Sequence, residues 1–136
     1  MYLLDTNVIS ETRRARPHGG VLAWLRSKHN STLYISAFSA GEIQAGVEIT
    51  RRRDPGRADA LEDWLEEILG AFNVLPMNHA AFRVWAKLKH GRSTVYFDDA
   101  MIAATAIVHG YTVVTRNIRH FSDFGVPLID PFNFNE

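Results

Sequence analysis

Short apolar runs alternate along the chain with longer stretches whose apolar residues recur every three or four positions. Tyr2-Leu3-Leu4 stops at Asp5-Thr6-Asn7, the composition of a buried strand that ends in a polar turn. A helical stretch follows and is broken by Pro17-His18-Gly19-Gly20; Val21 to Lys28 then reads as a second helix. Leu33 to Phe38 is rich in β-formers and predicts the second strand. Ser39-Ala40-Gly41-Glu42 has the capping-box pattern, so a helix is expected to begin at Ser39 and run to Arg51-Arg52-Arg53. Asp54-Pro55-Gly56 reads as a turn, and Ala58 to Gly70 as an amphipathic helix through Leu61, Trp64, Leu65, Ile68 and Leu69. A third short strand is expected at Asn73 to Met77, then a helix from His79 to His90 ended by Gly91. Asp98 to Val108 is apolar nearly all round, which marks a buried helix stopped by His109-Gly110. Tyr111 to Thr115 reads as the fourth strand and Pro127-Leu128-Ile129 as a fifth.

Strands separated by helices at this rhythm predict an α/β fold, a mainly parallel central sheet of four to five strands with helices on both faces. In such sheets a ligand site lies beyond the carboxyl ends of the strands. Asp5 falls at that edge after the first strand and Asn117 after the fourth, while Glu42 lies in the helix that follows the second.

The chain's 136 residues suit one compact domain, expected to span 1–136, with no internal repeat or linker. The absence of cysteine excludes disulfides, a thiol nucleophile and cysteine-based metal sites. Fifteen basic and fifteen acidic residues cancel, which argues against a protein that grips nucleic acid by bulk charge but leaves local handling of RNA open. The basic residues cluster at Arg13-Arg14-Ala15-Arg16 and at Arg51-Arg52-Arg53 with Arg57, and both clusters read first as solvated helix ends. The opening MYLLDTNVIS lacks a basic leader region, and no apolar run approaches a membrane span, so a cytoplasmic location is expected.

Each acid has an ordinary local explanation. Asp5 suits an Asx turn with the backbone of Asn7, Glu42 the return arm of a capping box, Asp98 an N-cap and Asp99 a first-turn acid favoured by the helix dipole. Together they converge on one edge of one sheet, where like charges raise one another's pKa unless a cation neutralises them. Oxygen ligands without cysteine or paired histidines suit Mg²⁺ or Mn²⁺ rather than zinc. Such an ion keeps coordination positions free for a phosphate oxygen and an attacking water, the requirement for hydrolysing a phosphodiester without a covalent intermediate. Ser39 and Thr115 bring hydroxyls to the same edge, either to orient a carboxylate or water or as a plain helix cap and strand end.

At these residues the chain resembles a family. Leu3-Leu4-Asp5-Thr6-Asn7-Val8-Ile9-Ser10 is similar to the opening of PIN-domain toxins of the VapC and FitB kind. Ser36 to Val47 resembles their second block, Asp99 to Ala106 their third and Val113 to Phe121 their fourth, in family order and across the whole chain. The resemblance implies a PIN fold and an Mg²⁺- or Mn²⁺-dependent endoribonuclease cleaving single-stranded RNA. It also implies a homodimer and a small antitoxin of a type II toxin–antitoxin system. It carries metal-ligand roles onto Asp5, Glu42 and Asp99, preferring Asp99 to Asp98 because the family's acid stands three residues before Ile102. A fourth catalytic position, often Asp, is Asn117 here; His120 stands where an acid often precedes the Phe and receives no role.

Two other readings compete. An aspartyl-phosphate phosphohydrolase would use Asp5 as nucleophile and needs a second acid two residues on, where Asn7 stands. A non-catalytic PIN scaffold that only binds a partner would not need all three acids.

Overall fold

A computed structural model describes residues 1–92 and 96–135. Five strands form one parallel sheet: β1 (Tyr2–Leu4), β2 (Leu33–Ser36), β3 (Asn73–Leu75), β4 (Thr112–Val114) and β5 (Leu128–Ile129), ordered β3-β2-β1-β4-β5. The order reverses at β1, so the crevice beyond its carboxyl end is where an α/β sheet places a ligand. The connecting helices are α1 (Thr6–Ile9), α2 (Gly19–Arg26), α3 (Ala37–Arg51), α4 (Pro55–Ala71), α5 (His79–Lys89), α6 (Phe97–His109) and α7 (Ile118–Phe121).

Strand side chains alternate between two cores because successive residues point to opposite faces. Leu3 and Val113 pack with Ile102, Ala103 and Phe121 on the α6 face; Leu4, Ile35 and Val114 pack with Val8, Val21, Trp24 and Ile68 on the other. The apolar run in α6 is explained by this placement: Ile102 through Ala106 are fully covered. No helix among the described residues is long and apolar enough to cross a membrane.

Several helix starts differ from the sequence reading. Ser36, not Ser39, caps α3: its Oγ accepts the Ser39 N–H at 3.0 Å, so Ala37 and Phe38 are helical rather than extended. The capping-box reading of Ser39 and Glu42 is therefore corrected, and Glu42 sits in the second turn. Asp54-Pro55-Gly56 is likewise a helix start: Asp54 caps α4 by accepting the Arg57 N–H at 3.1 Å, with Pro55 at the first helical position.

Candidate active site

β1 continues its pairing with β4 one residue past its own end, since the Asp5 N–H donates to the Val114 carbonyl at 2.9 Å. That bond fixes Asp5 at the sheet edge, where only 4% of its surface is exposed. Its carboxylate caps α1 by accepting the Thr6 N–H at 2.8 Å. The other oxygen accepts the Thr115 hydroxyl at 2.7 Å and the Asn7 amide at 3.1 Å. Asp5 thus bonds the backbone of Thr6 and the side chain of Asn7, rather than the backbone of Asn7. Thr115 is fully buried, and its oxygen also accepts the Asn117 N–H at 2.9 Å. One strand-end hydroxyl therefore ties Asp5 to the turn that carries Asn117, which caps α7 without a side-chain cap bond.

Thr6 links the first acid to the second. Its hydroxyl donates to Glu42 Oε1 at 3.1 Å and shares a hydrogen bond of equal length with Ser39 Oγ. Ser39 in turn bonds the Ser36 hydroxyl, so the cap of α3 and the orientation of Glu42 belong to one network.

Asp98 and Asp99 both lie in the first turn of α6, whose N-cap is Tyr96. The expected N-cap role of Asp98 is thus corrected: the helix begins a residue earlier than its polar boundary suggests, and both acids sit where the dipole favours them. Asp99 is half-buried and its Oδ2 meets His120 Nδ1 at 2.9 Å, while Asp98 is exposed.

Burial raises the pKa of Asp5, against the Thr115, Thr6 and Asn7 hydrogen bonds. Glu42 is pushed up to about 7, first by burial and then by the charges of Asp98 and Asp5, with the Thr6 bond opposing. Asp99 is raised by burial and by Asp5, against the His120 contact. Burial is the first cause at all three, and Glu42 and Asp99 also feel neighbouring acids, which raise a carboxyl pKa in the same direction. Among the described residues no three His, Cys, Asp or Glu side chains are grouped closely enough to hold a metal ion. The donors at this edge are oxygens, the type that Mg²⁺ and Mn²⁺ take.

Thr6 and His120 are the residues that sequence reasoning missed. Thr6 left no signal, since Asp-Thr-Asn reads simply as a turn. His120 had one: it follows Asn117 by three residues, the spacing that places two side chains on one helical face.

Two clefts of about 330 Å³ lie away from these acids, one between Arg13, Thr50, Arg57, Leu61 and Trp64, the other along Glu48, Ile49, Arg52 and Arg53. Neither contains a group that would act on a phosphodiester.

Comparison with known proteins gives a match to the PIN domain over residues 2–126. The VapC ribonuclease Y4jK of Sinorhizobium fredii is 37% identical over 139 residues, covering 97% of this chain and 98% of that protein. Toxin FitB of Neisseria gonorrhoeae is 34% identical over 141 residues, covering 98% and 99%. The crystal structure of FitAcB from the same organism superposes with a TM-score of 0.87 at 34% identity, covering 98% of this chain and 100% of that one.

Proposed function

The chain belongs to the PIN-domain family, and from that premise we propose that it is an Mg²⁺- or Mn²⁺-dependent endoribonuclease acting on single-stranded RNA. We assign it as the toxin of a type II toxin–antitoxin pair. Relatives named as a VapC ribonuclease and a FitB toxin support both parts. A homodimer and a small inhibitory antitoxin are the partners this reading gives, with light scattering at twice the chain mass as the check on the first.

The observation that carries the reading is the trio Asp5, Glu42 and Asp99 on one sheet edge, each with its carboxyl pKa raised. Unneutralised carboxylates of this kind are what a hard divalent cation resolves. Asp5, Glu42 and Asp99 would hold the ion, and the Asn117 amide oxygen would add a neutral donor. A bound Mg²⁺ or Mn²⁺ would stabilise the charge developing on the phosphate and acidify the attacking water. Thr115 and Asn7 fix Asp5, Thr6 fixes Glu42 and His120 fixes Asp99, so the acids are oriented before substrate arrives. Asn7 donates to Asp5 and offers no acid, which removes the second carboxyl that a phosphohydrolase using Asp5 as nucleophile requires.

The test is purified, antitoxin-free protein on end-labelled single-stranded RNA. Cleavage should stop in EDTA and return with Mg²⁺ or Mn²⁺, leaving a 5′-phosphate and a 3′-hydroxyl, because water rather than the RNA's 2′-hydroxyl attacks. Asp5→Asn and Asp99→Asn should each abolish it. Cyclic phosphate ends, or cleavage that persists in excess EDTA, would show the mechanism to be wrong.

A further inference from the structure

Beside the acids a cavity of about 220 Å³ is lined by Arg92, Tyr96, His120, Asp123 and Phe124. Its volume is below the roughly 300–1,000 Å³ of sites that enclose whole small molecules, and suits one planar ring. Tyr96 and His120 form one wall, their ring centres 4.5 Å apart and their planes inclined by 34°. Since His120 Nδ1 meets Asp99 Oδ2 at 2.9 Å, that wall abuts the carboxylate edge directly. The Arg92 guanidinium lies 5.4 Å over the Phe124 ring and donates to the Asp123 carbonyl at 3.1 Å, which holds a flat cation at the cavity's rim.

Resting on the ribonuclease reading, we propose that this cavity is a base subsite: one unstacked base of single-stranded RNA, next to the scissile phosphate, packs on Tyr96 beneath Arg92. Bases of single strands splay out and stack on aromatic and guanidinium planes, and such stacking tolerates any base because each has a π face. His120 stacks against one face of Tyr96 and is held by its Nδ1 to Asp99, so the base is assigned to Tyr96. The contact would set where along the strand the phosphate meets the acids, since a base seated here fixes the position of its own sugar and phosphate.

The experiment uses Asp5→Asn protein, to prevent cleavage, and short oligoribonucleotides carrying the fluorescent base 2-aminopurine at successive positions. One position should be quenched on binding. Tyr96→Leu, which keeps apolar packing but removes the ring, should lose that quenching and weaken binding about tenfold, the order expected for one stacked base. Tyr96→Phe should keep both. Arg92→Gln, a change at an exposed position, should weaken binding several-fold with an unchanged melting temperature, and it keeps the test decisive if Tyr96→Leu folds poorly. Full quenching and unchanged affinity in Tyr96→Leu and Arg92→Gln overturn the subsite. If the unsubstituted protein still cleaves these RNAs, the ribonuclease reading survives that result. RNA neither bound nor cleaved by the unsubstituted protein defeats both.

Discussion

Glu42 shows how strongly one residue's chemistry depends on its neighbours. Its carboxyl is pushed up to about 7 by burial, then by Asp98 and Asp5, so near neutrality it holds a proton part of the time. Asp98 is exposed, and its charge acts on Glu42 across the space between α3 and α6. Asp98→Asn should therefore move the Glu42 midpoint downward from about 7, as read by carbonyl-carbon NMR titration of metal-free protein. An unmoved midpoint would remove Asp98 from the site's electrostatics. The sign for stability follows from linkage. The folded value is raised above the ordinary 4.5, so between those two pH values the folded state binds more protons than the unfolded chain. Glu42's contribution to the stability of the metal-free protein is thus fullest below the lower value and is lost as pH climbs through the upper one. Asp5 and Asp99 are raised in the same direction and add to the trend. Mg²⁺ should reverse it, by about 2.7 kcal/mol at a hundredfold excess over its Kd. Thermal melts at pH 5 and pH 8, with and without Mg²⁺, decide the matter, and Asp5→Asn should show much less metal stabilisation. A metal-free protein that melts higher at pH 8 than at pH 5 would contradict the assignment.

At the scale of elements, the strands and their direction were legible in the sequence, whereas the helix starts were not. Apolar runs such as Leu3-Leu4 and Val113-Val114 must be buried on both faces, and their spacing by helices leaves only a parallel sheet. A helix start is decided by which of several serines or acids finds a backbone N–H, and Ser36 and Ser39 are equivalent on that criterion. Burial settled it: Ser36 ends β2 in extended backbone, its hydroxyl aimed at the Ser39 N–H. The convergence of Asp5, Glu42 and Asn117 on one edge was legible for the same reason as the sheet. The contacts that hold the acids were not, because Thr6 to Glu42 and Asp99 to His120 join residues 36 and 21 positions apart. No local pattern encodes such a pair. Ser36→Ala tests the shared cap. Losing it should cost about 1 kcal/mol, which lowers Tm by roughly 3 °C in a chain of this length. It should also reduce cleavage, because the network from Ser36 through Ser39 and Thr6 orients Glu42. A stability loss with full activity would separate the cap from the site.

For the whole molecule, the zero net charge has to be reconciled with an RNA substrate. Fifteen cations spread evenly would bind a polyanion weakly, so their placement decides. The Arg51 guanidinium is spent on Glu48, Asp59 and Glu62, an ion-pair cluster that joins α3 to α4. Arg52 and Arg53 lie beyond the far end of α3, about 14 Å along the helix from Glu42. Arg116 and Arg119, by contrast, are exposed on the segment that follows β4 and carries Asn117 and His120, and Arg92 is exposed at the rim of the cavity beside them. Three local cations predict a shallow salt dependence: the logarithm of affinity for single-stranded RNA should fall against the logarithm of salt with slope about −2, at roughly −0.7 for each phosphate neutralised. The measurement is a salt titration of RNA binding by Asp5→Asn protein at fixed Mg²⁺. Arg116→Gln should make the slope shallower by about 0.7, while the double substitution Arg52→Gln, Arg53→Gln should leave it unchanged. If the double substitution flattens the slope and Arg116→Gln does not, the RNA runs along the far end of the α3–α4 hairpin instead, and the acids of the sheet edge lose their substrate.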